Sequence, residues 1–140
     1  MSFRDKSALV SIIALLAASV GYVIMLVTAA HDDGLASLDY QPYMIGFVVV
    51  LAIVSIVGQV AIAVASPREA QAKPDERERL IAGRSGSLKA AVLAVAAFVA
   101  ISLAMVEVSW FWIANSVLAL WVLAEIAGGL TTLTLSRRGV

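Results

Sequence analysis

Tyr40 to Pro67 reads YQPYMIGFVVVLAIVSIVGQVAIAVASP, 28 residues without one Asp, Glu, Lys or Arg. A helix rises 1.5 Å per residue, so about 20 apolar residues cross a hydrocarbon core of about 30 Å. The run, flanked by Asp39 and Arg68, is long enough to span. Upstream, Ser7 to Ala30 is a second uncharged run. Downstream, only Glu107 and Glu125 interrupt the stretch from Lys89 to Arg137, which suffices for two crossings with a tight turn near Glu107-Val108-Ser109. The spacing predicts an all-α fold, an integral membrane four-transmembrane-helix bundle. Its helices fall at about 8–30, 42–65, 88–107 and 112–135, in one membrane domain over 1–140. Two hairpins are then joined by a linker at 66–87. The first run exceeds the roughly 7–15 apolar residues of a signal peptide, so it is expected to be a retained span.

Composition agrees. Hydrophobic residues make up 61% and charged residues 14% of the 140, and mean hydropathy is +0.96. A soluble domain is about half apolar and a quarter charged. These values exclude a soluble globular enzyme and a disordered chain. Ten basic residues balance ten acidic ones, which leaves no basic footprint for nucleic acid. The absence of cysteine excludes disulfides, thiolate metal sites and cysteine catalysis.

Charge placement sets the expected topology. Arg4 and Lys6 precede the first span, six basic residues from Arg68 to Lys89 lie in or beside the linker, and Arg137 and Arg138 follow the last span. The opposite loop, His31 to Gln41, has three aspartates and no Lys or Arg. The positive-inside rule then places both termini and the linker in the cytoplasm. Trp110, Phe111 and Trp112, with Tyr40 and Tyr43, are expected as aromatic anchors at the outer interface. His31, Asp32 and Asp33 read as a solvated turn rather than a cation site.

Within the linker, Asp75-Glu76-Arg77-Glu78-Arg79-Leu80-Ile81 follows Pro74 and reads as a short amphipathic helix, broken by Gly83 to Ser87. Leu80 and Ile81 would face the membrane or a partner, and Asp75 and Arg79 are spaced as an i,i+4 pair. This stretch is the expected cytoplasmic contact surface.

Glu125 stands out as a carboxylate in hydrocarbon. It lies 11 residues before Ser136, roughly 16 Å deep by helical rise. A charge there costs at least about 2.5 kcal/mol, and such residues face the bundle interior. Ser55 and Ser19 fall at similar depth, and Gln59 one turn from Ser55, so a buried polar cluster of Glu125, Ser55, Gln59 and Ser19 is geometrically possible. Glu125 has two main candidate roles: a neutral carboxyl bonded to Ser or Gln that fixes helix register, or a proton or cation site. Asn115, one turn into the last helix, is expected to bond a carbonyl of a neighbouring helix. No catalytic set, phosphate loop or metal-spaced His cluster is present, so no enzyme, cofactor or metal is expected.

Asp75 to Ile81, together with Phe111-Trp112-Ile113-Ala114-Asn115, Ala124-Glu125-Ile126 before Gly129, and Arg137-Arg138-Gly139, resembles a family of small bacterial four-helix inner-membrane proteins of unknown function. That family carries an acidic-basic DERxRLI linker before the third helix. The resemblance covers mainly residues 75–139. It implies a multi-pass protein of the bacterial inner membrane in which Glu125 and Asn115 are family features, and it implies no activity. Small multidrug transporters fit poorly, because the first helix here has no carboxylate within its span. The glutathione-dependent four-helix enzymes also fit poorly, because their arginine and glutamate motif is absent. The expected function is a non-enzymatic structural, accessory or regulatory component. Its partners would be the lipid bilayer and either a second copy or another membrane protein. The alternative is a small transporter or channel subunit that uses Glu125.

Overall fold

The computed structural model describes residues 3–30, 34–35, 38–67, 73 and 75–138. His31, Asp32 and Asp33 lie outside the described residues. Four helices follow in chain order: α1 (Phe3–Ala29), α2 (Gln41–Ala65), α3 (Glu76–Met105) and α4 (Trp110–Arg138). All four are long and apolar enough to cross a membrane. The fold is therefore an all-helical bundle compatible with a multi-pass membrane protein. Its accessible area is 8981 Å², against about 6,900 Å² for a compact soluble chain of this mass. The excess is outward apolar side chains such as Val48, Val50, Ile53 and Ile56, which a lipid phase solvates.

α1 packs against α2 and α4, and α3 packs against α4. α2 and α3 are thus the outer members of the set. Polar bonds tie the four helices at the end that carries the termini. Lys6 donates to Ser66 at 3.3 Å, Arg4 pairs with Glu78 at 3.4 Å, and Arg77 donates to the Ser136 carbonyl at 2.7 Å.

The largest departure from the sequence reading is α3. The expected break at Gly83 to Ser87 is absent, and the helix runs unbroken from Glu76. Its start is fixed by Asp75, whose carboxylate accepts from the Glu78 amide at 2.6 Å, with Glu76 and Glu78 in the first turn. No proline follows Pro74. Each interior glycine costs a helix about 1 kcal/mol. Burial of Ile81 and Ser85 against neighbouring elements offsets that cost. The Asp75 side chain serves as this cap, so the stretch read as part of the linker is the first two turns of a spanning helix.

A tight turn joins α3 to α4. Val108 donates to the Leu103 carbonyl at 3.2 Å and Glu107 to the Ala104 carbonyl at 3.1 Å, the two bonds of a Schellman motif. Glu107 occupies its left-handed position with φ 56°, where glycine is usual.

At the end away from the termini, the interior is apolar and aromatic. Tyr22, Leu26, Phe47, Leu51 and Phe111 are buried together, with Trp121 packed against them. Ring centroids lie 5.4 Å apart for Tyr22–Phe47 and 5.5 Å for Tyr40–Phe111. Phe111 therefore differs from its expected role as an interface anchor: it is 4% exposed, whereas Trp110 is 77% exposed. Successive helical residues point about 100° apart, so one of three adjacent aromatics turns inward. Tyr40 donates to the Trp110 carbonyl at 3.4 Å, and Tyr43 packs against the core.

Candidate functional site: an ion pair bordering a cavity

Lys89 and Glu125 each lie 18 residues from Glu107, one before it and one after. A tight antiparallel hairpin brings such positions to the same level. The Lys89 Nζ to Glu125 Oε2 distance is 2.6 Å. The same register sets Ser85 beside Gly128, whose carbonyl accepts from the buried Ser85 hydroxyl at 2.8 Å. Ile81, Ser85 and Lys89 recur at intervals of four, so they share one face of α3.

Two adjacent glycines serve different neighbours. A Cβ at Gly128 would meet the stem of Lys89, 2.7 Å from its Cγ and 2.9 Å from its Cδ, with Cε closer still. A Cβ at Gly129 would meet Ile12 of α1 at 2.8 Å. Gly128 thus forms the groove in which the Lys89 stem lies across α4 to reach a carboxylate one turn away. Gly129 lets α1 approach α4. At the α1–α2 contact, Gly58 does the same for Val10 at 2.7 Å.

The pair opens onto a cavity of about 740 Å³. Ser7, Ser11, Ser55, Ser85 and Thr132 place hydroxyls in its wall. Arg4, Asp5, Asp75, Arg77 and Glu78 form its rim at the termini end. Leu15, Leu51 and Trp121 line it on the inner side, where they join the aromatic core. From Glu76 to Lys89 is 13 residues, about 20 Å of helical rise. The cavity is therefore a vestibule with charged side chains toward the termini, a mixed apolar and hydroxyl-bearing wall that includes the ion pair, and aromatic packing on its inner side. Ligand sites run about 300–1,000 Å³, so the space is large enough for a small solute.

The sequence-derived cluster divides into three separate sites. Glu125 and Ser55 line the same vestibule. Glu125 bonds Lys89 rather than Ser or Gln. Gln59 lies in the α1–α2 contact, where it accepts from Ser7 at 2.8 Å and donates to Ser11 at 3.2 Å. Asn115 accepts from the Tyr22 hydroxyl at 2.8 Å and donates at 2.8 Å to the carbonyl of Phe111, in its own helix rather than a neighbour. The Ser19 hydroxyl is buried and has no hydrogen-bond partner among the described residues. Side-chain length explains the division: a lysine on the adjacent helix reaches the carboxylate first.

Of the stretch Asp75 to Ile81, much is consumed inside the chain. Asp75 caps α3, Arg77 bonds Ser136, Glu78 pairs with Arg4, and Ile81 is buried. Glu76, Arg79 and Leu80 remain exposed. Lys89 is the partner of Glu125 that its neighbourhood of charges concealed. Its equal separation with Glu125 from Glu107 was the signal that marks it. No group of three or more His, Cys, Asp or Glu that could hold a metal occurs among the described residues. No family model, curated protein or solved structure matches the chain.

Proposed function

We propose that the chain is a small, non-enzymatic transporter or channel subunit of the bacterial inner membrane, with both termini in the cytoplasm and the Lys89–Glu125 pair as its working site. The observation that carries this reading is the placement of that pair. A charge pair that served only to fix helix register would be expected in a dry contact, with no room for solvent. Here each partner is about a third exposed and borders a cavity whose wall includes serine and threonine residues. An aromatic plug between the vestibule and the opposite face is the arrangement alternating access needs, because it keeps one side closed while the other is loaded. The cytoplasmic placement rests on the basic residues at the termini end and their absence from the opposite loop.

Proteoliposomes test this directly. The wild type carries a flux of proton, cation or small zwitterion above that of protein-free liposomes, and Glu125→Gln removes it while the variant still folds. A wild type that passes none of these overturns the proposal.

A second reading, an accessory component that docks on a larger membrane complex or a second copy, is favoured by Leu80, which is 64% exposed at the charged end beside Glu76 and Arg79. Replacing those three residues should then leave insertion intact and abolish co-purification. Unchanged co-purification removes this reading.

A further inference from the structure

We propose that the vestibule selects a small free zwitterion, a solute that carries both an ammonium and a carboxylate. This inference rests on the transport-type reading and names its substrate class. The inner wall of the cavity presents one positive and one negative group, joined by a single contact between Lys89 Nζ and Glu125 Oε2. No further bond to the second Glu125 oxygen or to the remaining Lys89 protons is found among the described residues. The other charges that line the space, such as Arg4, Arg77 and Glu78, stand at the rim and are engaged there with one another or with backbone carbonyls. Asp5, which is buried, and Asp75, which caps α3, also border the space nearer the termini, so the balance of one positive and one negative group is that of the inner pair itself.

That balance decides which solute can enter the pair. A simple cation that took Glu125 would strand the Lys89 ammonium deep in the bundle. A simple anion that took Lys89 would strand the Glu125 carboxylate. Each partner is only about a third exposed, so a charge left without its partner is incompletely solvated, whereas exchange of one ion pair for two leaves none unpaired. A zwitterion makes that exchange alone, with its ammonium on Glu125 and its carboxylate on Lys89. Ser55 borders the same space and offers a neutral hydroxyl without adding charge, while the Ser85 and Ser11 hydroxyls are engaged by the Gly128 carbonyl and the Gln59 amide. About 740 Å³ leaves room for such a solute together with its water.

Binding of β-alanine is compared with binding of its two halves, propionate and ethylammonium, by calorimetry on the full chain in nanodiscs of phosphatidylglycerol alone. β-Alanine should bind at least tenfold more tightly than either half, and K89Q/E125Q should lose at least tenfold of that affinity. Equal affinity for either half, no binding of β-alanine, or an undiminished affinity in the folded double variant overturns the inference. If the double variant does not fold, the comparison of the whole molecule with its halves on the wild type decides alone. Addition of phosphatidylethanolamine to the discs should leave the β-alanine affinity unchanged. Competition by that lipid would assign the site to a headgroup and overturn the free-solute proposal. A wild type that carries flux but does not prefer β-alanine loses this inference and keeps the transport reading. β-Alanine binding without flux supports the site and removes the transport reading.

Discussion

Removing one partner of the Lys89–Glu125 pair should cost more than removing both in proportion. The distance is 2.6 Å, for which Coulomb energy is about 1.6 kcal/mol at the dielectric of water and about 6 kcal/mol at an effective value of 20. Side-chain exposures of 33% and 36% place the pair between a surface bridge, worth about 0–1 kcal/mol, and a buried one, where loss of a partner costs about 3–5 kcal/mol. A coupling energy of about 2 kcal/mol follows. Lys89→Met leaves a carboxylate facing a hydroxyl wall, and Glu125→Gln leaves an ammonium held in the Gly128 groove. The double variant leaves neither, so its loss of stability should fall short of the sum of the singles by that coupling. Reversible unfolding in mixed micelles, titrated with sodium dodecyl sulfate and followed by circular dichroism, measures all four corners of the cycle. Additivity within about 0.5 kcal/mol would refute the claim that the two groups interact.

Three further expectations use the same titration. Gly128→Ala gains about 1 kcal/mol of helix propensity but drives a methyl into the Lys89 stem, so a net loss of about 1–2 kcal/mol is expected and the Lys89–Glu125 coupling should vanish in that background. Glu107→Gly should stabilise by about 1 kcal/mol, because the left-handed φ of 56° strains a side chain and not glycine; destabilisation would contradict the assigned turn. Ser19→Ala removes a buried hydroxyl that has no partner among the described residues and should stabilise by about 1 kcal/mol, whereas a loss would reveal a bond to Ser19.

The spans were legible because hydrocarbon imposes one requirement, a long apolar run, and the run from Tyr40 to Pro67 meets it by composition alone. Helix ends were less legible because they depend on partners far along the chain. Glu78 meets Arg4 across 74 positions and Arg77 meets Ser136 across 59, and these contacts help hold the charged first turns of α3 in place. Charge-rich sequence with two glycines reads as a loop until those partners are known. Glu125 was legible as an outlier, since a carboxylate in an apolar run needs a reason. Its partner was not, because Lys89, at the very start of the expected third span, counts among the cytoplasmic basic residues rather than as a residue within the membrane. The hairpin register about Glu107 was present in the sequence and sufficed to pair the two. The inward turn of Phe111 and the bond from Tyr22 to Asn115 depend on rotation of each helix about its axis, which weakly amphipathic helices do not specify.

If the vestibule works as proposed, solvent reaches the Lys89–Glu125 pair from the termini end. The chain contains no cysteine, so Ser55→Cys introduces a single thiol into the vestibule wall without background. A membrane-impermeant, charged thiol reagent is applied to each face of sealed vesicles in turn. The account predicts modification of Ser55→Cys from the termini side alone, blocked when bulk at Ser85 narrows the approach. An unreactive thiol, or one modified equally from both faces, would contradict it.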